Sequence, residues 1–109
     1  MKKVLIVDDS IFIRQLIREI LLSEGFSVEE ASNGLEALEK IYLKKPHLII
    51  SDVEMPIMNG IELAKEKPSS LPIILMSGNA SLKGSSLADY FLPKPFDITH
   101  LLSIVKKIL

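Results

Sequence analysis

Five residues that can take part in metal or phosphoryl chemistry directly follow or end short apolar segments of the chain: Asp8, Asp9, Asp52, Ser77 and Lys94. Taken singly, an acidic pair after a strand is most often a solvated turn or a helix cap. A single serine or lysine in such a place is most often an ordinary surface group. If the apolar segments are parallel strands, however, all five residues lie at the carboxyl edge of one sheet, where α/β folds bind ligands.

The three aspartates predict a cation site. Carboxylates gathered within a few ångströms repel one another in a partly dehydrated cleft, so the fold must supply positive charge. Oxygen ligands without a neighbouring histidine or thiol suit Mg²⁺, and the chain has no cysteine at all. We therefore expect Mg²⁺ to bind near Asp8, Asp9 and Asp52.

A carboxylate beside Mg²⁺ and an ammonium group can attack a phosphoryl group, because the cations neutralise charge on the oxygens of the transition state. Asp52 is the predicted nucleophile. Ser77, next to the small residue Gly78, can donate a hydrogen bond to a phosphoryl oxygen, and Lys94 can pair with another.

The elements that position these residues form a βα repeat. Apolar segments at residues 4–7, 26–30, 48–50, 73–76 and 90–92 alternate with helix-like stretches. The first, third and fourth segments are continuously apolar, whereas the second alternates, so the second and fifth are expected at the sheet edges. With right-handed crossovers this favours a doubly wound parallel sheet of order 2-1-3-4-5, the flavodoxin-like arrangement.

Three helices are predicted from apolar residues at helical spacing. The first is capped by Ser10 and stops at Gly25, the second follows Asn33 and cannot continue past Pro46, and the last starts near Asp97. The predicted inward residues are Ile13, Leu16, Ile17, Ile20, Leu21, Leu35, Leu38, Ile41, Tyr42, Ile98, Leu101, Leu102, Val105 and Ile108. Two further stretches, residues 60–67 and 80–88, are long enough only for short or irregular helices. Phe12 and Tyr42 are interpreted as core or helix-surface packing residues and not as a recognition platform.

Composition favours one soluble domain over residues 1–109. Hydrophobic residues make up 48% of the chain and charged residues 25%, and the formal net charge is −1. With the lysine pairs scattered along the chain, no direct nucleic-acid binding is expected. The first apolar run ends at Asp8, so neither export nor membrane insertion is predicted. The absence of cysteine fits a cytoplasmic location. His47 and His100 lack ligand-like spacing and are interpreted as surface residues.

Three stretches resemble the signatures of response-regulator receiver domains of two-component systems: residues 3–9, 52–60 and 92–96. Residues 33–38 are similar to the opening of that family's second helix. The resemblance implies that Asp9 binds Mg²⁺ directly, that Asp8 acts through water, and that the Glu54 backbone carbonyl completes the ligands. It further implies that Ser77 is the switch hydroxyl, that the Phe91 rotamer follows it, and that the bond between Lys94 and Pro95 is cis. Without the resemblance, a trans proline opening the last helix would be preferred.

The resemblance implies a phosphoacceptor that takes its phosphoryl group from a sensor histidine kinase or a histidine phosphotransfer protein and then changes its affinity for a downstream protein. Such a domain is not a turnover enzyme. Glu54 and Asn79 flank the expected path of the water that removes the phosphoryl group.

Two other functions are open. Relative to the family, the third and fourth helices are each shorter by about a turn or more, which favours a receiver-like adaptor that docks a partner whether or not it is phosphorylated. A phosphatase of the haloacid-dehalogenase type also uses an aspartate nucleophile and Mg²⁺. That class normally has Asp-x-Asp after the first strand, whereas Asp8 and Asp9 are adjacent, and 109 residues leave no room for a cap domain.

Overall fold

The computed structural model describes residues 1–79 and 87–109, which form a parallel sheet with helices on both faces. The strands are β1 (Lys3–Val7), β2 (Ser27–Ala31), β3 (Leu48–Asp52), β4 (Ile73–Ser77) and β5 (Tyr90–Pro93). The helices of the described residues are α1 (Ile11–Ser23), α2 (Gly34–Lys44), α3 (Gly60–Glu66) and α4 (Ile98–Ile108). The strand order is β2-β1-β3-β4-β5, and every neighbouring pair is parallel. The predicted flavodoxin-like arrangement is confirmed.

Burial explains why the apolar pattern gave this order. All residues of β3 and β4 are buried, and so are the last four of β1, because helices cover both faces of the inner strands. In β2 only Ala31 is buried, as expected of a strand at the edge. The alternating pattern of the second segment therefore marked an edge strand correctly.

Alternate residues along the strands feed two cores. Val4 and Ile6 of β1 face α1 and α4, where they join Ile17 and Leu101 in one buried cluster. Leu5 and Val7 lie on the opposite face, in a cluster with residues of α2 and α3. The period of two along each strand thus divides the apolar side chains between two helical layers.

The helix boundaries follow the predicted caps. The side chains of Ser10, Asn33 and Asp97 each accept a hydrogen bond from a backbone N–H in the first turn of α1, α2 and α4. Gly25, just beyond α1, has φ +90°, a conformation that glycine adopts readily. Helix α3 has seven residues and ends before Pro68, close to the predicted 60–67. The short helix predicted at residues 80–88 falls largely outside the described residues.

Four residues that were predicted to point inward are exposed, which corrects the sequence interpretation: Leu16, Leu35, Tyr42 and Ile98. Phe12 is exposed as well, so of the two kinds of packing predicted for it, packing in the core is excluded. In α2 the buried residues are Gly34, Ala37 and Ile41, so the prediction for Ile41 is confirmed, whereas the small residues Gly34 and Ala37 take the inward positions next to Leu35 and Leu38. Small residues face inward there because the helix packs closely on its neighbours. An added Cβ at Gly34 would come within 2.6 Å of the Met58 side chain.

No helix within residues 1–79 or 87–109 has the length and apolar character needed to cross a bilayer.

Candidate functional site

Asp8 and Asp9 follow β1 at the carboxyl edge of the sheet. The Asp8 backbone N–H donates to the Ala31 carbonyl at 3.1 Å, which ties the end of β1 to the end of β2. The Asp8 carboxylate accepts the Ser10 N–H at 2.9 Å and is 1% exposed, whereas Asp9 is exposed. The turn into α1 therefore holds one carboxylate inside the sheet edge and leaves the next one open to solvent.

Asp52 ends β3 and is buried as well, at 6% exposure. The loop that follows returns close to it, because the Gly60 N–H donates to the Val53 carbonyl at 2.9 Å. A Cβ at Gly60 would lie 2.3 Å from the Asp52 carbonyl oxygen and 2.9 Å from the Val53 Cα. Only glycine permits this approach, so Gly60 fixes the wall of the site on the side of the loop.

Lys94 joins the two buried carboxylates from β5. Its Nζ lies 3.1 Å from Asp52 Oδ1 and 3.4 Å from Asp8 Oδ2. The Lys94 backbone N–H donates to the Ser77 carbonyl at 3.0 Å, and the peptide bond between Lys94 and Pro95 is cis. The Lys94 ammonium group, which follows β5, thus lies between Asp8, which follows β1, and Asp52, which ends β3.

Carboxylate oxygens of Asp8, Asp9 and Asp52 all lie within 4.8 Å of one another. No histidine or cysteine belongs to this cluster, and such a set of hard oxygen donors fits Mg²⁺. Lys94 is one cation among three carboxylates. A divalent cation would balance the remaining negative charge.

The electrostatics of the site reflect this crowding. Burial raises the pKa of Asp8 above its ordinary value, and the nearby charge of Asp52 raises it further, although the Ser10 N–H and Lys94 oppose the shift. Burial likewise raises the pKa of Asp52 against the opposing effect of Lys94. Burial alone would lower the pKa of Lys94, but its hydrogen bond to Asp52 and the two carboxylate charges raise it overall. The lysine therefore stays charged, and ionised carboxylates are held at a cost in free energy.

Ser77 ends β4 at the same edge and is 1% exposed. Its Oγ accepts the Asn79 N–H at 2.9 Å. Ser77 lies one residue beyond Met76, the residue that pairs with Asp52. In the adjoining pair of strands Ser77 is opposite Pro93 and Leu75 is opposite Phe91, so Ser77 and the half-buried Phe91 share one face of the sheet.

Glu54 opens the loop between β3 and α3 and is exposed. Farther along, the Met58 N–H donates to the Pro56 carbonyl at 2.8 Å, with φ +71° at Ile57. This is a γ-turn with positive φ at its centre, a strained conformation for a β-branched residue. The loop that carries Glu54 past the carboxylates therefore adopts a backbone conformation that costs free energy.

Neither histidine belongs to the cluster of carboxylates. The His47 Nδ1 accepts the Lys3 N–H at 3.0 Å, which places it at the amino edge of the sheet. His100 is exposed on α4.

One residue beside the site was not predicted from the sequence: the Arg14 Nη1 donates to the Asp8 carbonyl at 2.6 Å. Nothing in the local pattern of α1 marks Arg14, because its anchor, Glu30, comes from a strand 16 residues away.

The sequence model of the response regulator receiver domain family matches residues 4–106. The transcriptional regulatory protein CpxR homolog of Haemophilus influenzae is 42% identical over 116 aligned positions, covering 100% of this chain and 51% of the relative. The response regulator MprA of Mycobacterium leprae is 34% identical over 98% of this chain and 50% of the relative. The chain thus spans about half the length of the curated relatives it matches. Because 116 aligned positions exceed the 109 residues of the chain, the Haemophilus protein has residues that this chain lacks.

Solved structures show the same likeness. The response regulator TrrA of Thermotoga maritima, in complex with Mg²⁺-BeF, superposes with a TM-score of 0.92 at 37% identity, covering 100% of both chains. The chemotaxis response regulator CheY4 of Vibrio cholerae superposes with a TM-score of 0.88 at 38% identity, covering 100% of this chain and 99% of the other.

Proposed function

This chain belongs to the response regulator receiver domain family, and from that premise we propose that it is a phosphoacceptor modified on Asp52. The observation that carries the proposal is the Asp52 carboxylate, buried at a strand end with the Lys94 ammonium 3.1 Å away and two further carboxylates close by. We take residues 1–109 as a single receiver domain, acting in the cytoplasm. Its role is two-component signalling.

Asp8, Asp9 and Asp52 would hold Mg²⁺, with the Glu54 backbone carbonyl as a further ligand. Asp9 is exposed and offers a direct carboxylate ligand, whereas the buried Asp8, already bonded to the Ser10 N–H and Lys94, acts through water. When bound, Mg²⁺ supplies positive charge that offsets the charge on the phosphoryl oxygens during transfer. The Mg²⁺-BeF complex of the similar TrrA protein supports this assignment.

In the proposed transfer an Asp52 carboxylate oxygen attacks the phosphorus of a phosphohistidine. The new oxygen–phosphorus bond forms as the phosphorus–nitrogen bond breaks, and the histidine imidazole leaves with the bonding electron pair. Lys94 moves its ammonium from the carboxylate to a phosphoryl oxygen, a short change because it already lies 3.1 Å from Asp52. The donor is a sensor histidine kinase or a histidine phosphotransfer protein.

The proposed switch is Ser77. Its Oγ accepts a hydrogen bond from the Asn79 N–H, which leaves the hydroxyl hydrogen able to point to a phosphoryl oxygen. Phe91 shares the sheet face with Ser77 and is only half buried, so its rotamer can follow the hydroxyl. The change in this surface then alters the affinity for a downstream protein. Each molecule accepts one phosphoryl group, so the domain is not a turnover enzyme, and we propose no direct contact with nucleic acid or membrane.

Acetyl phosphate tests the assignment. With Mg²⁺ we expect intact-mass spectrometry to show one added phosphoryl group on the native chain, and none on Asp52→Asn. Asp97→Asn is the matched control, since it makes the same change at a helix cap, where asparagine serves as well as aspartate. Equal modification of the native chain and Asp52→Asn would reject Asp52 as the acceptor.

A receiver-like adaptor that docks its partner regardless of phosphorylation is the second candidate. It is favoured by the seven-residue α3 and by the residues that the Haemophilus relative has in addition. Once a partner is isolated, its affinity is measured with and without phosphorylation. A change of about tenfold, or about 1.4 kcal/mol of coupling, excludes the adaptor, and an unchanged affinity supports it.

A further inference from the structure

A network of charged side chains outside the acidic site contacts the loop between β1 and α1 that carries Asp8 and Asp9. The Glu30 carboxylate, on edge strand β2, accepts the Arg14 Nε at 3.0 Å and the Arg18 Nη1 at 3.1 Å. Arg14 then donates its Nη1 to the Asp8 carbonyl at 2.6 Å. The Arg14 side chain is 16% exposed and the Arg18 side chain 42% exposed. The Arg14 guanidinium is therefore largely buried, whereas that of Arg18 lies at the surface.

The contact of Arg14 falls on the peptide group between Asp8 and Asp9. A peptide group is planar, so fixing the direction of its carbonyl oxygen also fixes the N–H of the next residue and limits where that residue's side chain can point. The structure describes no hydrogen bond that holds the Asp9 side chain itself. The direction in which the Asp9 carboxylate points therefore depends on the peptide group that Arg14 holds.

We propose that Arg14, anchored by Glu30, is a positioning residue for the Mg²⁺ site, because it holds the peptide group that directs the Asp9 carboxylate toward Asp8 and Asp52. The inference rests on the proposed Mg²⁺ site and adds a residue to it that never touches the ion. Groups that orient metal ligands in this way typically change metal affinity about 10- to 100-fold when they are removed.

The charge of Arg14 and its positioning role predict opposite changes in Mg²⁺ affinity for the substitution Arg14→Gln. Arg14→Gln removes a positive charge near a cation site, so simple charge repulsion predicts tighter Mg²⁺ binding. Loss of the held peptide group predicts weaker binding. Arg18→Gln removes the same charge from the same carboxylate and leaves the contact with Asp8 intact, which makes it the matched control.

Mg²⁺ affinity is measured directly by titrating the ¹⁵N-labelled full chain and following backbone amide shifts, a method that does not require the tryptophan this chain lacks. We expect Arg14→Gln to weaken Mg²⁺ binding about tenfold. Arg18→Gln is expected to leave it unchanged or slightly tighter. Arg14→Lys, which keeps the charge and one donor, is expected to recover part of the loss. Glu30→Gln, which releases the anchor, is expected to lose about as much as Arg14→Gln.

Thermal unfolding without Mg²⁺ separates positioning from general destabilisation, because a merely structural role would shift the unfolding midpoint and leave the affinity of the folded protein unchanged. If Arg14→Gln does not fold, Arg14→Lys and Glu30→Gln decide the matter. Native-like affinity in the folded variants overturns the inference, as does an equal loss in Arg18→Gln. If the native chain itself binds no Mg²⁺, the proposed metal site fails with it, whereas tight native binding with unchanged variants overturns only the role of Arg14.

Discussion

The two edges of the sheet treat polar groups in opposite ways. At the carboxyl edge Asp8, Asp52 and Ser77 are buried, and Lys94 is inserted between the two carboxylates. At the amino edge polar side chains remain at the surface, as in the exposed hydrogen bond from the Lys3 N–H to His47. Both edges are assembled from the same strands.

The carboxyl edge is the part of the fold where buried charge opposes stability. Burying ionised carboxylates opposes folding unless they are paired, and one lysine does not neutralise three carboxylates. The raised pKa values of Asp8 and Asp52 express that cost. A divalent cation would offset that cost, so substitutions at the carboxyl edge should change the stability of the fold in a way that depends on Mg²⁺, and substitutions at the amino edge should not.

The largest expected effect compares one glycine at each edge. Gly60→Ala would force a Cβ against the Asp52 carbonyl and the Val53 Cα, so the backbone of the site must move, and we expect a loss of about 3 kcal/mol in the free energy of unfolding. Gly25→Ala meets no atom within 4 Å and carries only the cost of its positive φ, about 1 kcal/mol. Urea denaturation with equal losses for both variants would contradict the comparison.

The second effect concerns the charge of Asp52. Since its pKa is raised on folding, the folded state binds more protons than the unfolded chain, and stability falls as pH rises from the ordinary value of 3.8 through the raised pKa. Without Mg²⁺ at neutral pH, Asp52→Asn should therefore be more stable than the native chain. The advantage should vanish in acid.

Added Mg²⁺ sharpens that test. It should stabilise the native chain and have little effect on Asp52→Asn, because a ligand that binds only the folded state raises its stability. Thermal unfolding at several pH values, with and without Mg²⁺, measures both effects. A variant less stable than the native chain throughout would show that the pair with Lys94 outweighs burial.

The third effect arises at the loop beside the site. Ile57 is 75% exposed and holds φ +71° at the centre of its γ-turn. Ile57→Asn should stabilise the fold by about 1 kcal/mol, because asparagine tolerates this conformation better than a β-branched residue. Denaturation midpoints report the change. Loss of stability would mean that the isoleucine side chain packs usefully in spite of its exposure.

The smallest effect is expected where α1 and α4 end at the amino edge. Lys106 pairs there with Glu24 at 2.5 Å, and the Lys106 side chain is 57% exposed. Exposed ion pairs contribute little, so Glu24→Gln should change the free energy of unfolding by less than about 0.5 kcal/mol and leave Mg²⁺ binding unaltered. A larger loss, or any change in Mg²⁺ affinity, would weaken the contrast between the two edges.

The sequence predicted more of the backbone than of helix packing. Continuous and alternating apolar segments gave the strand order, and polar caps gave the helix starts, because both depend on patterns within a few residues. Leu35 and Tyr42 were assigned inward and are exposed. Side-chain size determined which face of α2 is buried, because the close packing of this helix requires Gly34 and Ala37 on its inner side. An apolar pattern alone does not indicate how closely a helix packs on its neighbours.

Sequence patterns were enough to predict the family, the fold and the residues that follow the strands at one edge, because motifs and the period of two are read from neighbouring residues. The contacts of Lys94 with Asp8 and Asp52, the close approach of Gly60 to the Asp52 carbonyl, and the contact of Arg14 with both Glu30 and Asp8 appear only in the folded structure. Those contacts join residues far apart along the chain. Their distances depend on how strands and loops pack together, which no local pattern encodes.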